Sequence, residues 1–327
     1  MEYRKLGNTD LELSAITYGA FAIGGTMWGG NQRKDSIAAI QASLDNGVST
    51  LDTAPFYGFG LSEELIGEAL RGRDRSKVQV LTKFGLIWDG SNQCKGEFFF
   101  DAGENSKPIH IYKYAAKESI MREVEASLGR LKTDYIDLLQ LHWPDASTPI
   151  DETMETLLLL QQQGKIRAAG VSNLSVGQME SAKNIIPLAS NQVPYSMLNR
   201  SIEQELVPYT TSHNIGIIAY SPLERGLLSG KYFAGTTLQK DDHRNNYFGQ
   251  FEPQKVKALL TALQPLADSK NATLAQLVLR WTSFQKGITV VLAGSRNAEQ
   301  AVANAKAMDI NLTPGELQFI NNELSKF

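Results

Sequence analysis

Short apolar runs separated by stretches of helical spacing recur along the whole chain. The runs are AITYG (15–19), STLD (49–52), VQVLTK (78–83), IDLLQLH (136–142), AAGVS (168–172), ASNQV (189–193), GIIAYS (216–221) and ITVVLAG (288–294). Their continuous rather than alternating apolar character predicts parallel strands covered by helices on the outer face. Between them, Ile37, Ile40 and Leu44 share one helical face after Asp35 and Ser36, and Gly47 stands where that helix must stop. Ile120, Val124, Leu128 and Leu131 mark another stripe, and a further helix is expected from Ile150 to Gly164. Thr313-Pro314-Gly315-Glu316 has capping-box spacing with proline in the first turn. Ahead of the first run, Arg4 to Leu6 and Leu11 to Leu13 flank Gly7-Asn8-Thr9-Asp10 as a hairpin.

Strand-then-helix units without a break in composition predict one closed (β/α)8 barrel of the TIM type, a single domain over residues 1–327. A doubly wound sheet is the competing fold. It would carry G-x-G-x-x-G after its first strand, and YGAFAIGGTMWGG (18–30) lacks that spacing. Two segments exceed ordinary connections, 85–114 after the third strand and 231–253 after the seventh. On a barrel both lie at the C-terminal mouth, where such folds keep their chemistry. Trp88, Phe98, Phe99, Phe100, Tyr232, Phe233, Tyr247 and Phe248 are there either to wall a pocket or to anchor the loops.

Composition narrows the partners. With 42% apolar residues, 20% charged and a formal net charge of -3, nothing favours nucleic acid. The one cysteine, Cys94, excludes an intramolecular disulfide, and His110, His142, His213 and His243 lack the spacing of zinc sites, so no metal is expected. No apolar core of signal-peptide length opens the chain, and no run reaches the ~20 apolar residues of a membrane span. The expectation is a cytoplasmic protein with a small-molecule substrate and no membrane partner. Oligomeric state is not legible.

Several strands end in residues that packing would not choose: Asp52, Lys83, His142, Ser172 with Asn173, Gln192, and Tyr220 with Ser221. Taken singly these are helix caps, solvent-facing lysines or hydrogen-bonded core histidines; a closed barrel brings them together. Tyr57 follows Asp52 in a Gly- and Pro-containing turn. A phenol of ordinary pKa about 10 is a poor proton donor near neutrality, and a neighbouring ammonium such as Lys83 lowers it. Asp52 keeps that lysine charged, and His142 is placed to orient the same substrate oxygen. An acid over an oxygen, without metal or nucleophile, suits carbonyl reduction with hydride from a cofactor.

These residues resemble those of the aldo-keto reductase superfamily over essentially the whole chain. LDTAPFYGFGLSEELIGEAL resembles the signature bearing the aspartate and catalytic tyrosine, here Asp52 and Tyr57. VLTKFG and DYIDLLQLHWP resemble the segments bearing the active-site lysine, Lys83, and histidine, His142. GKIRAAGVSNLS, AYSPLERGLLSGKY and GSRNAEQAVANAKA resemble its cofactor-binding strand ends, and GSRNAEQAVAN is similar to the form found in the bacterial branch and the potassium-channel β subunits. The resemblance implies NADPH or NADP⁺ bound without a Rossmann fold. It puts Ser172, Asn173 and Gln192 at the nicotinamide carboxamide and Tyr220 under the ring. Ser221, Pro222, Leu223, Gly226, Lys231 and Arg244 are implied at the pyrophosphate, and Arg296, Gln300 and Asn304 at the adenosine end. A guanidinium at Arg296 suits the 2′-phosphate.

Trp143 matches a pocket tryptophan of relatives, and Phe21, Trp28 and Trp88 complete the expected substrate contacts for an aldehyde, ketone or sugar carbonyl. The same residues serve alcohol or aldose oxidation. Two rivals stand beside this reading: a slow-turnover regulatory module like the channel subunits, and a barrel aldolase with Lys83 as Schiff-base amine.

Overall fold

The computed structural model describes residues 1–25, 30–88, 95–104, 107–238, 242 and 244–327. Trp28, Cys94 and His243 lie outside them.

The chain opens with the expected hairpin, β1 (Tyr3–Lys5) and β2 (Glu12–Ser14), paired antiparallel. The barrel strands follow: β3 (Ile16–Gly19), β4 (Thr50–Asp52) and β5 (Gln79–Phe84). Next come β6 (Leu86–Ile87), β7 (Glu97–Glu104) and β8 (Lys107–Lys113), then β9 (Ile136–Leu141) and β10 (Ile166–Ser172). The series ends with β11 (Leu188–Pro194), β12 (Gly216–Tyr220) and β13 (Ile288–Ala293). β3, β4, β5, β9, β10, β11, β12 and β13 close into a barrel in that order, each parallel to its neighbours. All eight apolar runs are strands of this barrel.

Helices pack outside it: α1 (Arg33–Asp45), α2 (Leu61–Ala69), α3 (Lys117–Leu131), α4 (Ile150–Gln162), α5 (Val176–Lys183) and α6 (Leu206–Ser212). They are followed by α7 (Arg244–Phe248), α8 (Pro253–Ser269), α9 (Leu274–Phe284), α10 (Ala298–Lys306) and α11 (Pro314–Leu324). α1 ends at Asn46 with Gly47 at φ +83, and Thr313 and Glu316 form the reciprocal cap of α11. Both endings are as the residues dictate.

Each barrel strand sends alternate residues inward and outward. Leu51, Val80, Leu139 and Ile217 join the shell between strands and helices, while Leu81, Leu138, Ile218 and Val290 fill the interior. Leu6, Leu11 and Leu13 of the hairpin segment pack into that interior cluster and plug one end. Among the described residues, no helix is long and apolar enough to cross a membrane.

The segment 85–114 differs from a simple loop. β6, β8 and β7 form an antiparallel sheet in that spatial order, with a register shift between Phe98 and Phe100. Three consecutive phenylalanines hide the two-residue alternation that would announce a strand, and the bulge is why they fit one.

Candidate active site

The inward alternation that builds the core also builds the site. Two residues beyond Leu81 stands Lys83; beyond Leu138 stand Gln140 and His142; beyond Ile218 stands Tyr220. Polar groups therefore crown an apolar floor at the strand C-termini.

Lys83 and Asp52 are both buried, and Lys83 Nζ donates to Asp52 Oδ1 at 2.7 Å and to the Thr53 carbonyl at 2.9 Å. Asp52 Oδ2 accepts from Gln192 Nε2 at 2.8 Å and from Gln140 Nε2 at 3.3 Å. Burial disfavours the Lys83 ammonium, yet the Asp52 carboxylate and the Tyr57 phenol outweigh it and raise its pKa.

The turn between β4 and α2 carries Tyr57, and close backbone contact sets its place. A Cβ on Gly24 would stand 2.6 Å from the Tyr57 carbonyl carbon, so only glycine lets these two loops meet. The Tyr57 ring lies 5.0 Å from Lys83 Nζ, 4.7 Å from the Phe21 ring and 5.8 Å from the His142 ring. Here the expected acidity is corrected. Burial raises the Tyr57 pKa above 10.0, and the opposing pull of Lys83 reduces this rise without reversing it. His142 is held well below 6.5 by burial and then by Lys83, so its imidazole is neutral.

A cavity of about 750 Å³ runs from Tyr57 to Arg296, within the usual range of small-molecule sites. Asp52, Tyr57 and His142 border its chemical end; Lys83 lies behind them. Ser172, Asn173, Gln192 and Tyr220 border it too. Ser172 Oγ donates to the Gln192 carbonyl at 2.8 Å, and Tyr220 OH donates to Asn173 Oδ1 at 3.0 Å. Gln192 Oε1 accepts no hydrogen bond among the described residues.

Ser221, Pro222, Leu223, Gly226 and Lys231 line the middle of the cavity, and Arg296, Gln300 and Asn304 its far end. Burial lowers the Lys231 pKa, helped by the charges of Arg244 and Arg296. Arg244 reaches the wall as expected, but it is engaged by Asp242 through Nε at 2.8 Å and by Tyr232 OH at 2.8 Å. Arg296 donates to the Gly30 carbonyl, and Asn304 Nδ2 to Gly294 O at 3.1 Å.

Two residues go unnoticed in the sequence reading. Gln140 was legible from its two-residue spacing before His142. Arg225 lines the cavity inside the SPLERG segment; its guanidinium stacks 3.8 Å over the Tyr247 ring and donates no hydrogen bond among the described residues. Its backbone, at φ +55, is in the left-handed region between Glu224 at +46 and Gly226 at +96.

Around the chemical end, Phe21, Trp143, Phe56, Leu86, Phe99 and Phe100 form an apolar wall. Trp88 does not join it. Its ring packs 5.2 Å from Phe59 and 6.4 Å from Phe56, behind the wall rather than on the cavity. Trp28 falls outside the described residues. Among those described, no three His, Cys, Asp or Glu side chains gather as a metal would need.

The Gln192 Oε1 and the Arg225 guanidinium, neither hydrogen-bonded among the described residues, border one elongated cavity, and this donor and acceptor set fits a nicotinamide dinucleotide. Comparison with known proteins agrees with the architecture. Residues 15–322 match the model of the aldo/keto reductase family. The aldo-keto reductase YhdN of Bacillus subtilis is 39% identical, covering 99% of this chain and 94% of its own. The NADH-specific methylglyoxal reductase of Escherichia coli is 36% identical, covering 95% and 94%. The solved glycerol dehydrogenase AKR11B4 from Gluconobacter oxydans superimposes with a TM-score of 0.87 at 37% identity, covering 99% and 95%. The chain belongs to the aldo/keto reductase family, oxidoreductases that act on carbonyls and alcohols with a nicotinamide cofactor.

Proposed function

We propose that this protein reduces aldehydes and ketones with NADPH, and oxidises the corresponding alcohols or sugars in reverse, with Tyr57 as general acid and base. The observation that carries this is the buried Asp52–Lys83 pair beneath Tyr57, beside a neutral His142, at one end of the cavity.

The bound nicotinamide supplies or accepts the hydride. Ser172, Asn173 and Gln192 would hold its carboxamide, and Tyr220 would support the ring and so fix its orientation toward the substrate. Ser221, Pro222, Leu223, Gly226 and Lys231 take the diphosphate, with Arg225 adding a guanidinium that stacks on Tyr247 and donates no hydrogen bond among the described residues, and Arg244 stiffening the wall. Arg296, Gln300 and Asn304 take the adenosine end. Lys231 and Arg296 lie close enough to influence one another, and that positive field favours the 2′-phosphate of NADPH.

The carbonyl oxygen sits between Tyr57 and His142. Neutral His142 donates a hydrogen bond that fixes the oxygen, and the Tyr57 hydroxyl delivers the proton as negative charge develops there. Lys83 stabilises the phenolate left behind, and Asp52 holds Lys83 charged. Phe21, Phe56, Phe99, Phe100 and Trp143 favour a carbonyl with an apolar or aromatic substituent.

The test is cofactor consumption against a panel of aldehydes, ketones, dicarbonyls and aldoses, with NADPH and NADH in parallel. Tyr57→Phe is expected to lower turnover by about 10²- to 10⁴-fold while leaving NADPH affinity unchanged. A fully active variant would remove Tyr57 from the proton transfer, and faster turnover with NADH would reverse the cofactor assignment.

A further inference from the structure

Asp52 is shared between two sides of the barrel. Lys83 on β5 takes one carboxylate oxygen at 2.7 Å; Gln192 on β11, across the interior, takes the other at 2.8 Å. The carboxylate accepts only, so it fixes which end of the Gln192 amide points at it: Nε2 donates, and Oε1 is left over. That oxygen has no partner among the described residues, and Gln192 borders the cavity beside Ser172 and Asn173. Gln140 donates to the same carboxylate oxygen at 3.3 Å but does not border the cavity.

We propose that Gln192 is a positioning residue that carries the presence of the nicotinamide carboxamide to the Asp52–Lys83 pair and, through it, to the Tyr57 phenol. The inference rests on the ring placement given above and goes beyond it. A carboxamide N–H donated to Gln192 Oε1 polarises the amide and strengthens its Nε2–H bond to Asp52, because hydrogen bonds in a chain reinforce one another. A better satisfied Asp52 opposes Tyr57 ionisation less, which leaves the Lys83 charge more effective at the phenol. The groups that face Tyr57 are Lys83 on β5, Asp52 on β4, His142 after β9 and Tyr220 on β12. His142 is neutral, and burial keeps Tyr220 protonated, so the carboxylate is the one whose influence an amide can tune. Proton donor and hydride donor are thereby coupled.

The first experiment uses the unaltered protein. The pH profile of alcohol oxidation is recorded with NADP⁺ and with its 3-acetylpyridine analogue, which keeps the carbonyl and lacks the N–H. The limb belonging to Tyr57 is expected about half a pH unit or more higher with the analogue, about a threefold lower rate at one pH on that limb. Gln192→Met is expected to bring the two profiles together at the higher position. Gln140→Met is expected to raise the limb with either cofactor while preserving the difference between them.

Affinities of both cofactors, read by quenching of intrinsic fluorescence, separate the two levels of the argument. Gln192→Met that still prefers the carboxamide cofactor as the parent does would overturn the ring placement itself. Lost preference with coincident parent profiles would leave that placement standing and overturn the coupling.

Discussion

At the scale of single residues, burying Lys83 and Asp52 together ties stability to chemistry. Lys83→Met removes the ammonium and leaves the Asp52 carboxylate, among the described residues, with the amides of Gln192 and Gln140 as partners. The expected loss is about 3–5 kcal/mol, the usual penalty for stranding one member of a buried pair. Urea denaturation of the cofactor-free protein measures it, and an undiminished midpoint would mean that the pair is not closed to water. Which residues meet was legible in advance: Asp52, Lys83, His142 and Gln192 announce themselves as polar groups where apolar strands stop. The net direction of Tyr57 was not, because burial and the Lys83 charge oppose each other and only three-dimensional distances weigh them. Arg225 was hidden for another reason. The family resemblance implies Ser221, Pro222, Leu223, Gly226 and Lys231 of its segment and passes over Arg225, and nothing in the sequence says that the backbone turns left-handed there and lays the guanidinium on Tyr247.

Among the elements, the helices and barrel strands followed their periodicity closely, and the sheet of β6, β7 and β8 did not. Its base is tied to α3, where Glu123 accepts from the Gly85 backbone N–H at 2.9 Å and from Ser119 Oγ at 3.0 Å. Burial pushes the Glu123 carboxyl up to about 8 from 4.5, and hydrogen bonds to it only partly counter this. A folded-state value above the unfolded one means that folding favours the protonated form. The associated stability is complete below the unfolded value and is lost as pH rises through the folded one. Glu123→Gln keeps an acceptor for Gly85 and has no proton to lose. Denaturation midpoints of parent and variant are expected to diverge in favour of the variant between about pH 5 and pH 9. Parallel curves across that range would show that the carboxyl titrates as an ordinary exposed one.

For the whole molecule, the long cavity joins strands at both ends of the sequence, so whatever fills it braces the barrel. NADPH at about 100 times its dissociation constant is expected to add ~2.7 kcal/mol of stability. Thermal denaturation read with and without NADPH gives the effect directly. Arg225→Ala is expected to shrink the NADPH-induced rise in Tm while leaving the Tm of the cofactor-free protein nearly unchanged; an equal rise in both proteins would remove Arg225 from the diphosphate. The barrel itself was legible because eight apolar runs in chain order admit few closed arrangements. The wall of the pocket was not, since Trp88 and Phe99 are equally aromatic in sequence, and only the folded chain sets Phe99 on the cavity and Trp88 behind it against Phe56 and Phe59.

The register shift in β7 carries a consequence for how this pocket can change over generations. It sets Phe99 and Phe100 side by side on the cavity while Phe98 faces solvent. Losing one codon at that shift would restore plain alternation and turn one ring away, enlarging the chamber without altering any barrel residue. The width of the chamber is therefore set by the residue count of β7 as well as by the identity of its side chains.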